Sequence, residues 1–469
     1  MLSRIVQTLV PLALLVVLWA PPSRPAQNDP RLHDGEADLV LLDGKIIAVD
    51  PSDSIAEAIA VKGGRIIAVG HTEEIAELIG QHTQVVHLGG RSVLPGFVDA
   101  HTHVEGIAAF HRMLDVHVPP LKGVDDILDK VRKEANATKP GEWIVGAGGW
   151  GQILPTRQQL DAVAPEDPVV LRESAHVQIL NSKALQILGI DRNTVAPRGG
   201  NISHDSKTGE PTGRIQEMSG VWLSHIPSPS YEAREQSLKE VMEDFVRKGV
   251  TSIYDFPSGD GMQIYQNLRD EGRLPLRLRC QIILTGKDLA FQQFVLNDGP
   301  RTGFGDDWLR LGGIKLFVDG ETGVIPVPTG AWIYLGHAAF KTQAKVPFIY
   351  RTMLDHGLRP PGTSDSLGSM PESTNPFFSM WAMVTRKTRD GELNGAEEAI
   401  TMKEAIRGYT IDGAYSGFEE KIKGSIEHGK LADLIVVSAD PLSVPSDQIR
   451  DIRVLMTVIN GRIVWRSET

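Results

Sequence analysis

The feature that most constrains this chain is a run that ends in two histidines one residue apart, Leu94-Pro95-Gly96-Phe97-Val98-Asp99-Ala100-His101-Thr102-His103. Its middle residues are largely apolar, as in a strand covered on both faces. Side chains alternate along a strand, so His101 and His103 fall on the same face. Two imidazoles on one face at the end of a buried strand can hold one metal ion from one side. The plainer reading, a pair of polar residues closing a strand, leaves the joint occurrence of Pro-Gly, the apolar run and His-x-His without a cause.

The chain has 469 residues, enough for one large domain and a smaller one. Its net charge is -11 and no basic patch stands out, so nucleic acid is not an expected partner. A single cysteine, Cys280, rules out an internal disulfide framework. It sits in the apolar run 276–284 and reads as a buried, inert thiol. At the N-terminus Arg4 precedes an apolar run over 9–20, and a Pro-rich stretch follows to Ala26. That is the length of a signal-peptide core and short for a membrane span. Residues 1–26 are therefore expected to be a signal peptide, with an uncleaved anchor as the alternative. No cysteine follows the run, which argues against a lipid anchor. The expected location is periplasmic or secreted, with no stable membrane span after cleavage.

Between 37 and 95 short apolar runs alternate with Gly or Asp turns, and strands are expected at 39–49, 58–69 and 85–88. The segment 421–469 has the same style, with Asn460-Gly461 between two apolar runs as a hairpin signal. Chain ends usually lie close together, so the two segments are expected to form one small β-sandwich. The middle, 96–420, alternates strand signals (143–146, 168–171, 251–254, 277–284, 313–318) with helix signals. That alternation argues for a parallel α/β domain, and polar residues at strand ends favour a (β/α) TIM-type barrel.

Further residues could carry chemistry. The run 312–320 places Lys315 inside an apolar strand, where a lysine is costly unless paired, metal-linked or modified. Carboxylated by carbon dioxide, it could bridge two metal ions; a salt bridge to Asp319 or another carboxylate is the plainer alternative. The run 358–366 ends in Ser364-Asp365-Ser366, and a carboxylate there can ligate metal and take a proton from an attacking water. Alone, it could equally be a turn or N-cap aspartate. His176 and Asn181 follow the 168–171 strand and could contact substrate; a surface-loop histidine is an even alternative. Trp150, after a Gly-rich stretch, could line a pocket or simply pack.

The His-x-His strand, Lys315, Asp365 and the closing run 424–434 together resemble the amidohydrolase superfamily, and more narrowly its family 3 branch. The resemblance runs from about Ala37 to the end and includes Gly149-Trp150, 160–165, His176 with Asn181, Gly213 with Glu217, and 408–410. It implies a metal-binding (β/α)8 barrel beside a small β-sandwich. It also implies hydrolysis of C–N bonds other than peptide bonds, mostly in linear amides. By resemblance, the metal ligands are His101, His103, the carboxylated Lys315 and Asp365, and Asp365 is also the catalytic proton shuttle. The implied cofactor is one or two divalent ions, with Zn2+ favoured by imidazole ligands. The implied partner is a small-molecule amide, and a homo-oligomer is the assembly such enzymes commonly form.

One departure stands out. The family takes further ligands from histidines ending the fifth and sixth strands, and neither motif occurs between Asp319 and Asp365. The only Glu-His, Glu427-His428, belongs to the closing run. A barrel unit takes roughly 30 residues, so four steps need on the order of 120. Lys315 and Asp365 are 50 positions apart. The expectation is an incomplete barrel, with a block carrying strands five, six and most of seven missing near Trp332, and impaired activity. His337 and His356 are poor substitutes, because neither ends a strand. A non-catalytic exported binding protein and a cyclic amidase of the same superfamily are the competing readings.

Overall fold

The computed structural model describes residues 35–468, apart from 150, 174–175, 284–292, 294–296, 298, 316–328 and 337–347. The expected signal peptide, Trp150, Asp319 and His337 lie outside the described residues. No helix among the described residues is long and apolar enough to cross a membrane.

Short apolar runs broken by turns become seven strands: β1 (Leu39–Leu42), β2 (Lys45–Ile47), β3 (Ile55–Ala56), β4 (Ala58–Lys62), β5 (Arg65–Gly70), β6 (Gln84–His87) and β7 (Ser92–Pro95). The His-x-His run supplies β8 (Phe97–Asp99). Then come β9 (Leu114–Asp115), β10 (Ile144–Ala147), β11 (Val169–Arg172), β12 (Val177–Leu180), β13 (Asn201–His204) and β14 (Pro211–Gln216). The long-range strands β15 (Val250–Asp255), β16 (Arg277–Ile283) and β17 (Leu309–Lys315) follow, and β18 (Leu434–Val437), β19 (Val454–Ile459) and β20 (Arg462–Arg466) end the chain.

The two ends of the chain share a sheet. Its order is β20-β19-β18-β7-β2-β3, with β7 antiparallel to β18 from Ser92↔Val437 to Pro95↔Leu434. A second sheet, β5-β4-β1-β6, faces it. Alternate residues of both, among them Leu39, Leu41 and Val61 from one and Leu434, Val436 and Val458 from the other, form one buried cluster. Asn460 and Gly461 turn β19 into β20 with φ of 53° and 73°, the left-handed pair that a two-residue hairpin needs.

Gly96 carries the chain from β7 into β8. A Cβ there would stand 2.3 Å from the Thr251 side chain, so only glycine allows the crossing. β8 is the edge of a parallel sheet ordered β17-β16-β15-β8. All six residues of β15 are buried, as expected for a strand covered on both faces. Phe97 packs outward on Phe377 and Tyr409, whereas Val98 points inward with Ala100 and Tyr254. The helix Tyr231–Arg247 covers the outer face with Leu238, Val241, Met242 and Phe245, three and four residues apart. Inside, Glu419 bonds Lys423 at 2.8 Å and faces Arg279 and Arg310 at 3.4 Å, and Tyr254 Oη donates to it.

One expectation needs correction. The strands expected at 143–146 and 168–171 do not join the sheet that carries the histidines. They form β10 and β11 of a separate six-stranded sheet, β13-β14-β12-β11-β10-β9. Strand–helix alternation reads the same whichever sheet a strand enters, so periodicity cannot assign it. Lys315, expected inside an apolar strand, lies in β17 as its last described residue and is half-buried; 316–318 of the expected strand lie outside the described residues. Near Trp332 the chain forms a 3-10 helix, Gly330–Leu335, and no strand occurs between 315 and 362 among the described residues.

Candidate metal centre

β8 ends at Asp99, and the next residues deliver the two histidines. The segment 362–366 runs along the side of β8 opposite β15: Ala100 N donates to Gly362 O at 3.0 Å, Asp365 N to His101 O at 2.8 Å, and His103 N to Ser366 O at 3.2 Å. These bonds place Asp365 beside both imidazoles across more than 260 residues of sequence. Its Oδ1 is 3.3 Å from His101 Nε2 and 3.3 Å from His103 Nε2. Asp365 holds a φ of 43°, a left-handed conformation that aspartate tolerates better than most residues. Lys315 Nζ, arriving from β17, is 3.2 Å from His101 Nε2. Phe256, just after β15, packs against both imidazoles, with ring centroids at 4.5 and 5.2 Å, and lies under Lys315 Nζ.

Two aspartates brace this arrangement. Asp99 Oδ1 accepts from His101 N at 3.2 Å and Ser364 N at 2.9 Å, tying the His101 and Asp365 segments together. Burial raises its pKa to about 7, against the pull of its hydrogen bonds. Asp255 accepts from Val104 N at 3.1 Å and from Tyr265 Oη at 2.7 Å, and burial raises its carboxyl too. Burial alone would push Asp365 up as well; bonds from His101 and His103 outweigh it and hold the carboxyl well below its usual range. Burial pushes the His101 imidazole down, toward the neutral form that a metal ligand needs. Neither Asp99 nor Asp255 was singled out in the sequence. Each ends an apolar strand, and that signal could have found both.

The donor set fits a small divalent ion. With ligand bonds of about 2.1 Å, neighbouring atoms of a tetrahedral site stand about 3.4 Å apart. The two imidazole-to-carboxylate separations of 3.3 Å match that edge. The nitrogens of His101 and His103 and the carboxylate of Asp365 all lie within 4.8 Å of one another, the one such group found among the described residues.

The expected substrate contacts fare differently. His176 Nδ1 meets Glu217 Oε1 at 2.9 Å. Asn181 is fully buried, and all four of its hydrogen-bonding positions are used. Its Oδ1 accepts from Val169 N and Ala184 N, and its Nδ2 donates to Ala164 O and Asp167 O. It caps the helix Ser182–Ile187 and pins it to β11, leaving no atom for a bound molecule. His356 caps the short helix Tyr350–Asp355 and bonds Thr352 O.

A parallel sheet covered by helices, with two histidines and an aspartate gathered at its strand ends, defines a metal-binding α/β protein. A profile of the Amidohydrolase family matches residues 84–329 and 324–465, and the chain belongs to that family. It is thus a hydrolase of carbon–nitrogen bonds with a TIM-barrel-type α/β fold that uses a divalent metal. The chain is 26% identical over 539 residues to an N-substituted formamide deformylase of Arthrobacter pascens, covering 90% of this chain and 97% of the relative. It is 24% identical over 525 residues to the putative amidohydrolase YtcJ of Bacillus subtilis, covering 88% and 96%. An uncharacterized metal-dependent hydrolase from Pyrococcus horikoshii shares the fold, with a TM-score of 0.59 at 18% identity over 87% of this chain and 99% of that one.

Proposed function

We propose that this chain is a zinc-dependent hydrolase of small linear amides, with His101, His103, Lys315 and Asp365 as the metal-binding set. The observation that carries the reading is Asp365 Oδ1 at 3.3 Å from both imidazole nitrogens, with Lys315 Nζ 3.2 Å from His101. A divalent ion bound there supplies Lewis-acid polarisation of the carbonyl and acidifies water. His101 and His103 hold it as neutral imidazoles. Asp365, kept ionised by its neighbours, turns Oδ1 toward them and leaves Oδ2 to take the proton from water and deliver it to the departing amine. Phe256 shields one side of the site from solvent. Carboxylation would make Lys315 an anionic ligand, and its position in the fourth parallel strand, close to His101, supports that role. The curated name of the Arthrobacter relative supports a linear amide as the substrate class.

The reading includes a missing block. Ninety percent of 469 residues is about 422, so well over a hundred of the 539 aligned positions face no residue of this chain. The two profile matches meet at 324–329, near the expected break. β17 and the 362–366 segment flank the parallel sheet with no strand between them in sequence among the described residues. The barrel is read as incomplete, with the paired end-of-chain sheets as its β-sandwich, and turnover as impaired. The N-terminal run supports export. Assay of the purified chain on N-substituted formamides, with and without added Zn2+, tests the reading. Slow turnover abolished by a chelator is expected, and metal-independent turnover would contradict it.

A further inference from the structure

The two histidines lead straight into a helix, Val104–His111, and its first turn is tied to the turn that follows β15. That turn, Asp255-Phe256-Pro257-Ser258, meets the helix at both of its ends. At one end Asp255 Oδ1 accepts from Val104 N at 3.1 Å, the first backbone N–H after His103. At the other end the direction reverses. Ser258 N donates to Glu105 Oε2 at 2.6 Å, and Ser258 Oγ donates to Glu105 Oε1 at 2.8 Å. Two carboxylates thus cross between the segments, each taking a backbone N–H from the other. Between these ties lies Phe256, 5% exposed, whose ring centroid is 4.5 Å from that of His101 and 5.2 Å from that of His103. Pro257 fixes its own φ and narrows the backbone choices of Phe256, so the place of Ser258 is passed on to the ring.

The Glu105 carboxylate is itself held in place. Ser258 is the N-cap of the helix Gly259–Asp270, and its Oγ accepts from Gly261 N at 3.1 Å. Glu105 therefore sits at the N-terminal end of that helix, where the free N–H groups favour a negative charge. A Cβ on Gly261 would stand 2.6 Å from Glu105 Oε1, so the carboxylate fills space that glycine leaves open.

We propose that Glu105 is a positioning residue for the metal centre: by holding Ser258 it keeps the Phe256 ring seated against His101 and His103, and so fixes the planes of both imidazoles. The inference rests on the metal-binding reading of those histidines. Glu105→Ala in the full-length protein should weaken Co2+ retention about ten-fold in competition with a chelator, the lower end of what losing a ligand's supporting partner costs. It should also change the visible absorption of the bound Co2+. Ser258→Ala, which removes one of the two bonds, should give a smaller loss in the same direction. Glu105→Gln, which keeps an oxygen for Ser258 N, should restore most of the retention. Combining Glu105→Ala with Phe256→Leu should weaken retention no more than Phe256→Leu alone, because both act through the ring. A crystal structure of metal-free Glu105→Ala should show the ring moved off the imidazoles. A fall in Tm with unchanged Co2+ retention, additive losses in the double variant, or an unmoved ring would each overturn the proposal. A parent protein that takes up no Co2+ would remove the metal-binding reading, and the ring position in the metal-free crystals would then decide the positioning role by itself.

Discussion

Replacing Asp433 by alanine should loosen the link between the closing segment and the histidine-bearing sheet. Asp433 and Arg277 are buried, with side chains 4% and 2% exposed. Arg277 Nε donates to Oδ2 at 2.7 Å and Nη2 to Oδ1 at 2.9 Å, a two-bond fork, and Asn460 N also donates to Oδ1 at 2.9 Å. The guanidinium is further fixed by Asp307 O and by the Trp308 ring. Removing one partner of such a buried pair costs about 3–5 kcal/mol, because the other charge is left uncompensated. Unfolding entropy of about 2.1 cal/mol/K per residue gives roughly 0.9 kcal/mol/K for the folded part of this chain, so Tm should fall by about 3–6 °C. Scanning calorimetry of the full-length protein reads the shift. The double replacement Arg277→Leu with Asp433→Leu should recover most of it, since a well-packed apolar pair often matches a buried ion pair. A shift under about 1 °C for Asp433→Ala, or a double variant as unstable as the sum of its parts, would refute the reasoning.

Loss of a metal ligand should exceed the 10- to 100-fold penalty seen when only a ligand's supporting partner is removed, so His101→Ala and His103→Ala should each weaken metal retention by on the order of 100-fold or more in competition with a chelator. Asn181→Ala should lower stability by about 2 kcal/mol in urea titrations, from the lost cap and stranded backbone groups, while metal content stays unchanged. Lys423, Arg279 and Arg310 hold the Glu419 carboxyl below its ordinary 4.5 although burial pulls it up. Its folded pKa is thus lower than its unfolded one, and its stabilisation is complete above about pH 4.5 and lost as pH falls through the folded value. Thermal melts should therefore drop on acidification below that point, and Glu419→Gln should flatten the drop.

The residues that gather at the candidate centre each carry a local mark in the sequence. His-x-His shows a shared face by strand periodicity alone, and Ser-Asp-Ser ends a strand-like run. The pairing of β7 with β18 was foreshadowed by two segments of matching style. What periodicity could not reveal was partnership. β10 and β11 look like barrel strands in isolation, and only their hydrogen-bonded neighbours put them in another sheet. Asn181 follows a strand as a substrate contact would, yet its side chain is consumed by four backbone groups drawn from 164 to 184. Asp99 stood inside the most informative run of the chain, but its role depends on Ser364, some 265 residues away.

The most direct test of the account is the divalent metal content of the purified full-length protein, measured by plasma mass spectrometry beside a His101→Ala, His103→Ala double variant. The account predicts about one ion per chain or more in the parent protein, with zinc predominant, and near-complete loss in the variant. A parent protein that binds no divalent metal when loaded, or a variant that retains the parent's content, would contradict it.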